Sequence, residues 1–483
     1  MNADPAMSET AKTKVFLTGA TGTMGRQAMA RILDHADSLD LSVLVRDSKK
    51  NRRFMRQYAG KVRVIYGDLL DESNVAEGVA EADIVLHVGG MVSPAADHLP
   101  ELTWKVNTGA ARNIVKAVKA RPDGGEGVKV VYIGSVAQLG NRAVPYHWGR
   151  AGDPVWAAKF DVYALSKIEA ERIIADSGIP WWVSLRQTGI LADDLLSKAS
   201  DPITFHVPID GVLEWITAEE SGNLMANICL ADLPASFWNR FYNIGGGEGF
   251  RVTNFEFEQI IMKAMSCPEP TKVFDANWFA TRNFHGQWYE DSDLLEDYLH
   301  FRRFRDIGEF MDAFKTRLPG YYSLARFVPA AVIKFVMKQI AKDKKLGTLS
   351  WVKGSDPARL KAYFGGLEEW QKIPDWSSRD LSHPSSAPVR LDHGYDETKP
   401  ESELILADLQ QAARFRGGRC LEETYSPAQW GDPVEWECHA GHRFKASPRL
   451  VLLGGHWCPE CFGPEADYSR EAARNPFFAQ IWR

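Results

Sequence analysis

The sequence has no uncharged apolar run of about 18 residues, the length a membrane-spanning helix needs. Its most apolar long segment, YYSLARFVPAAVIKFVMKQIAKDKK, is interrupted by Arg326 and Lys334. The first residues lack a basic stretch followed by an apolar one, so no secretory signal is expected. Excess positive charge is also missing. The formal net charge is −6, which gives no bulk attraction to nucleic acid or to an anionic membrane. Cysteine is sparse, six in 483 residues, which suits thiols or a metal site better than a disulfide framework. No internal repeat is found. A protein of the cytoplasm is the default expectation, and its length exceeds one ordinary core, so two or three domains are expected.

What is present begins with alternation. Short β-branched runs (Val15–Leu17, Leu41–Val45, Val62–Tyr66, Ile84–Val88, Val128–Ile133, Trp182–Leu185) alternate with helical patterns (Met24–His35, Glu72–Val79, Thr108–Ala120, Ala164–Asp176). This predicts an α/β fold, a doubly wound parallel sheet of Rossmann type with helices on both faces. It extends over 14–265, where FYNIGGGEGFRVTNFEFEQIIMKAM reads as strand, glycine turn and helix. Residues 266–380 are aromatic-rich and read as a mostly helical extension, with breaks near Pro319-Gly320 and Gly365-Gly366. Residues 381–400, rich in Ser, Pro and charge, read as a linker. A small module follows over 401–483.

VFLTGATGTMGRQ sets Gly19, Gly22 and Gly25 three residues apart, after an apolar strand and opening a helix. Glycines let the backbone approach a pyrophosphate, and free N–H groups at a helix start bind its charge. The plainer reading is a structural turn. The strand–turn–helix context favours a dinucleotide cradle formed by Gly19, Thr21, Gly22, Thr23, Met24 and Gly25. At the end of the second strand an acidic residue would select NAD; SVLVRD offers Arg46 instead, followed by Lys49, Lys50, Arg52 and Arg53. Arginine pairs bidentately with phosphate, so NADP(H) is favoured over NAD(H), against the alternative of a solvated charge run.

Ser135 in VVYIGSVAQLG lies just past the fifth strand, at the sheet edge where doubly wound folds bind ligands. DVYALSKIEAERII follows, with Tyr163 and Lys167 one helical turn apart and on one face. Alone, Y-x-x-x-K says little in a chain with fourteen tyrosines. Together these groups suit proton transfer. A nearby ammonium should ease ionisation of the phenol, Tyr163 can exchange a proton with a carbonyl or alcohol oxygen, and Ser135 can orient that oxygen. Asn107 in VNTGAARNIV reads, from the residues alone, as a helix N-cap.

TGATG with YALSK resembles the extended short-chain dehydrogenase/reductase superfamily over about residues 14–265. The resemblance implies further roles. Asp68 and Leu69 of GDLLD would lie beside the adenine. HVGG, His87 to Gly90, stands where the family has HxAA, and the unusual Gly89-Gly90 would leave more room beside the cofactor. Lys167 would hold the nicotinamide ribose, and Asn107 would support the active-site helix. LRQTGIL resembles the family's RPTxI/V, placing Gln187, Thr188 and Ile190 by the nicotinamide. The VRD at Arg46 resembles the NADPH-using reductases of this superfamily. Ser93, His147, Trp148 and His206 are substrate-contact candidates by location, although a lone His or Trp is more often packing.

Near the C-terminus, Cys438 and His442 are separated by three residues and Cys458 and Cys461 by two, with fifteen between the pairs. Two short hooks of this kind present four ligands to a tetrahedral zinc ion. GGRCLEETYSP…VEWECHAGHRF…LLGGHWCPEC resembles small treble-clef zinc-ribbon domains. Four good ligands imply a closed, structural site, with reduced buried cysteines as the alternative. Cys420 reads as core or as a support for the ligands, and His439 and His456 as lying outside the ligand set. The module holds nine Lys and Arg against twelve Asp and Glu, so a nucleic-acid partner is disfavoured.

The expected activity is therefore NADPH-dependent reduction of a ketone or aldehyde, reversible as alcohol oxidation, on a small-molecule substrate, with a homodimer as the compatible assembly. The alternatives are a nucleotide-sugar epimerase or dehydratase with tightly held NAD, and an NADP(H)-sensing binding protein whose zinc module contacts a partner.

Overall fold

The computed structural model describes residues 11–193, 201–318, 326–354 and 356–482. Seven parallel strands form the central sheet: Thr13–Thr18, Leu39–Val45, Arg63–Tyr66, Ile84–His87, Lys129–Ser135, Trp182–Gln187 and Arg240–Ile244. Counted along the chain, they lie in the order seventh, sixth, fifth, fourth, first, second, third. The order reverses between the first and fourth strands, and a crevice opens at such a point above the carboxyl ends. The strands alternate their apolar residues between two helical layers. Val15, Leu17, Leu86 and Val131 pack with Met24, Ala28, Leu224 and Met225 on one face. Phe16, Val85, Val130 and Tyr132 pack with Ala111, Ile114, Ala170 and Ile174 on the other.

The doubly wound class matches the sequence expectation, but one helix differs. It runs Pro100–Lys119, eight residues earlier than the apolar pattern begins. Proline is well placed in a first helical turn, where its missing N–H costs nothing. The early turns hide their period because Leu102 and Trp104 are exposed.

The extension after 265 is largely helical, with Ile307–Arg317, Ala330–Ala341, Thr348–Gly354 and Pro357–Phe364 among its helices. The expected break at Gly365-Gly366 ends the last of these, while that at Pro319-Gly320 lies outside the described residues. Residues 381–400 contain no regular element, yet they are anchored along the sheet domain. His393 is buried and pairs with Asp153 at 2.9 Å. Arg150 binds Glu397 bidentately at 2.9 and 2.8 Å. The stretch is a strap rather than a free tether: its few anchoring side chains find partners distant in sequence.

The final module pairs Arg419–Cys420, Val434–Glu437 and Arg443–Ala446 as an antiparallel sheet. Its core is continuous with one face of the central sheet. Trp156 contacts the rings of Tyr468, Phe478 and Trp482 edge-on at 5.1, 5.4 and 5.7 Å.

Candidate active site

The cradle is built at the ends of the first and fourth strands. Gly19 has φ +78°, and a Cβ there would sit 2.7 Å from the Gly89 backbone. The helix Thr23–Leu33 that follows has no side-chain cap and no acidic residue in its first turn. Its leading N–H groups are therefore uncommitted to side chains, which fits a pyrophosphate. Thr18 locks the two strand ends together. Its hydroxyl accepts from Gly89 N at 3.0 Å and shares a 2.9 Å hydrogen bond with His87 Nδ1. Burial and the Lys167 charge push His87 down to about 3, so it is neutral and serves this lock.

The Gly89-Gly90 pair does not open free space. A Cβ at 89 would meet Leu69 Cδ1 at 2.9 Å, and one at 90 would meet Asn107 Oδ1 at 2.8 Å. The glycines admit neighbouring side chains, and this corrects the sequence expectation. Leu69 thereby lies against the cradle, and its carbonyl accepts from Asn113 at 2.8 Å. Asp68 accepts from Leu70 N at 2.9 Å. Arg46 is exposed directly beyond the second strand and has no ion-pair partner among the described residues. Arg52, in contrast, is paired with Asp47 at 2.5 Å and lies over the Tyr66 ring.

Ser135 closes the fifth strand, and Tyr163 and Lys167 lie on the helix Val162–Ala175 capped by Asp161. Tyr163 faces Ser135 across this edge. Burial pushes the Tyr163 phenol up to about 12, against the opposing influence of the Ser135 hydroxyl. The sequence suggested easier ionisation, driven by the lysine. Lys167 instead donates to Ile133 O at 2.7 Å and lies 5.0 Å from the centre of the Tyr132 ring. Its own burial lowers it to about 8.

Asn107 is eight positions into its helix, so it is not an N-cap. It accepts from Met91 N at 2.8 Å and donates to Met91 O at 3.0 Å and to Ser166 Oγ at 2.8 Å. It thus ties the loop after the fourth strand to the helix that carries Tyr163 and Lys167. Gln187 stands beside Ser135 in the sheet and accepts from Ser221 at 3.2 Å. Thr188 donates to the Glu214 carbonyl, and Ile190 pairs with Ile216 in a separate small sheet.

The substrate candidates divide. Ser93 lies near Asp97, whose carboxyl it holds down against the upward push of burial. His147 and Trp148 both spend ring nitrogens on Ser385 O, at 2.9 and 3.1 Å, and anchor the strap. His206 is buried against Trp351 and Tyr363 and bonds Leu346 O at 2.7 Å. These three are packing anchors, which corrects their candidacy as substrate contacts. Sequence reasoning missed Asp161, two residues before Tyr163, which burial raises to about 7. Its place before YALSK was the only available signal.

At the other end of the chain the hook closes. Cys458 Sγ and Cys461 Sγ each lie 3.6 Å from His442 Nδ1, and Cys461 Sγ lies 3.6 Å from Cys438 Sγ. Zinc bonds of about 2.0–2.3 Å require tetrahedral donor separations of roughly 3.3–3.8 Å. The four donors fit that ion. His439 pairs instead with Glu471 at 2.6 Å and His456 with Glu171 at 2.8 Å. Cys420 is buried in the module core.

Residues 15–178 match the NAD dependent epimerase/dehydratase family. The matched residues lie within the seven-stranded sheet domain and include the glycine cradle, Ser135, Tyr163 and Lys167. Among curated proteins, the chain is 28% identical over 200 residues to uncharacterized protein 052L of Frog virus 3 (isolate Goorha), covering 38% of this chain and 54% of that one. It is 27% identical over 204 residues to human 3 beta-hydroxysteroid dehydrogenase type 7, covering 40% and 53%. The chain thus spans about half the length of these relatives. Among solved structures, UDP-glucose 4-epimerase from Bifidobacterium longum, in complex with NAD+ and UDP, gives a TM-score of 0.48 at 16% identity, covering 63% of this chain and 97% of that one. No described helix of the chain is long and apolar enough to cross a membrane.

Proposed function

We propose that the chain is an NADPH-dependent oxidoreductase that reduces a ketone or aldehyde and, in reverse, oxidises an alcohol. The observation that carries this reading is the placement of Ser135, at the end of the fifth strand, against Tyr163, with Lys167 one helical turn further on, at the sheet edge beside the glycine cradle. A nicotinamide cofactor bound there would supply the hydride. Gly19, Thr21, Gly22, Thr23, Met24 and Gly25 would hold its pyrophosphate, Asp68 and Leu69 its adenine end, and Lys167, Gln187, Thr188 and Ile190 its nicotinamide end. His87 and Gly89 support the cradle floor. Tyr163 donates the proton that the substrate oxygen gains, Ser135 orients that oxygen, and Asn107 holds the helix against the loop after the fourth strand.

The preference for NADPH rests on Arg46. Arg46→Ala should raise the KM for NADPH by about 10–100-fold, the loss of one to a few hydrogen bonds to a charged group. NADH kinetics should change little; steady-state assays with both cofactors decide it, and equal effects would remove Arg46 as the selector. The family match supports a second reading, a nucleotide-sugar epimerase or dehydratase that retains NAD. Cofactor that stays with the native protein through chromatography and is freed only on denaturation would favour it over a dissociating reductase.

Cys438, His442, Cys458 and Cys461 are assigned to a structural zinc ion, since four protein ligands leave no open position for chemistry. Elemental analysis should find about one zinc per chain, lost in Cys458→Ser. A metal content unchanged by that substitution would exclude this ligand set.

A further inference from the structure

The helix that carries Tyr163 and Lys167 is gripped by the C-terminal module along its length. Glu171, one turn beyond Lys167, is fully buried. Its Oε2 accepts from Ser184 Oγ at 2.5 Å and Arg186 Nε at 3.1 Å. Its Oε1 accepts from Arg186 Nη2 at 2.7 Å and pairs with His456 Nε2 at 2.8 Å. Arg186 Nη2 also donates to Gly454 O at 2.6 Å, and Arg172 donates to Trp457 O at 2.7 Å. Asp176 accepts from Ser447 Oγ at 2.6 Å.

The loop leading into the helix is held from the same side. Val155 N donates to Gly455 O at 3.0 Å, and Tyr468 Oη donates to Ala157 O at 2.8 Å. Gly455 has φ +75°, and a Cβ there would lie 1.9 Å from Asp153 O. Only glycine permits that approach. Residues 454–457 run directly into Cys458, so a tether that closes the hook also fixes the backbone that touches Glu171, Arg186 and Arg172. A module that served only as a detached adaptor would need none of these buried polar contacts.

We propose that the metal hook is a positioning device for the active-site helix. Closing the hook fixes His456 and the carbonyls of Gly454 and Trp457; these hold Glu171, Arg186 and Arg172, and through them the placement of Lys167 and Tyr163. His456 is the positioning residue of this device. The catalytic consequence rests on the roles proposed above for Tyr163 and Lys167, whereas the mechanical link does not.

Two measurements on the full-length protein test it. Hydrogen exchange is compared before and after metal removal with a chelator. Amides of 162–175 should exchange at least about tenfold faster without metal, while those of strands 13–18 and 39–45 keep their rates. Protection lost only over 434–462 would overturn the proposal. The second measurement compares His456→Ala with His456→Gln, whose amide retains a donor, at confirmed metal content. The alanine variant should lose about tenfold in kcat, with a smaller change in NADPH KM and an altered kcat–pH profile. The glutamine variant should recover most of it. Wild-type kcat in the alanine variant, or an equal loss in both, would overturn the positioning role. If the unmodified protein turns over no carbonyl, the functional reading fails, and the exchange result still decides the mechanical link.

Discussion

Tyr163→Phe is expected to lower carbonyl reduction by about 10²–10⁴-fold, the usual contribution of a positioned general acid. The ring stays, so packing and NADPH affinity should hold within about twofold; fluorescence titration of the cofactor checks this beside single-turnover kinetics. The protonation state agrees with the direction of the reaction. Burial pushes the phenol up to about 12 in the cofactor-free chain, so at neutral pH it carries the proton that a reductase must donate. Reduction should therefore hold its rate through neutral pH and decline as pH rises through the phenol's pKa. Oxidation of the alcohol, which needs the phenolate, should gain over the same range. Full activity in the phenylalanine variant would sink the assignment of Tyr163 as proton donor. A reduction rate that climbs with pH would assign the proton to another group.

Much of this site was legible because its chemistry is local in sequence. The glycine cradle, Ser135 at a strand end, Tyr163 and Lys167 one turn apart, and the two hooks each occupy a few neighbouring residues. The sheet was legible for the same reason: its strands are continuous β-branched runs buried on both faces. What escaped was what long-range partners decide. Nothing near Glu171 indicates that His456, 285 residues away, will complete its hydrogen bonding. The strap reads as a linker because it is polar, and its anchors are isolated residues such as His393. His147 and Trp148 read in sequence as substrate contacts, whereas Ser385 O, on that strap, occupies a ring nitrogen of each. The Gly89-Gly90 pair was read as empty space because sequence gives no view of Leu69 and Asn107 filling it.

Glu171→Ala is the substitution expected to cost most in stability. Glu171 and Arg186 are both completely buried and meet at 2.7 Å. Burial alone would raise the carboxyl; the Arg186 charge and the hydrogen bonds from His456 and Arg186 hold it well below the ordinary carboxylate range. Its contribution is thus present above the unfolded carboxylate pKa and is lost only as pH falls through the depressed native value. Removing the carboxylate leaves the guanidinium charged in the interior, with Gly454 O as its remaining acceptor. Breaking one partner of a buried pair costs about 3–5 kcal/mol, against about 0–1 kcal/mol for an exposed pair. Lys14–Glu81, at 3.3 Å on the surface, is the internal control: Glu81→Ala should barely shift the urea midpoint. The double variant Glu171→Leu with Arg186→Met removes both charges and should recover much of the loss, because what is costly is the unpaired charge rather than the absent bridge. A Glu171→Ala cost no greater than that of Glu81→Ala would mean that water reaches the guanidinium. The joint between the helix Val162–Ala175 and the C-terminal module would then be wet and loose, unable to position Tyr163 and Lys167.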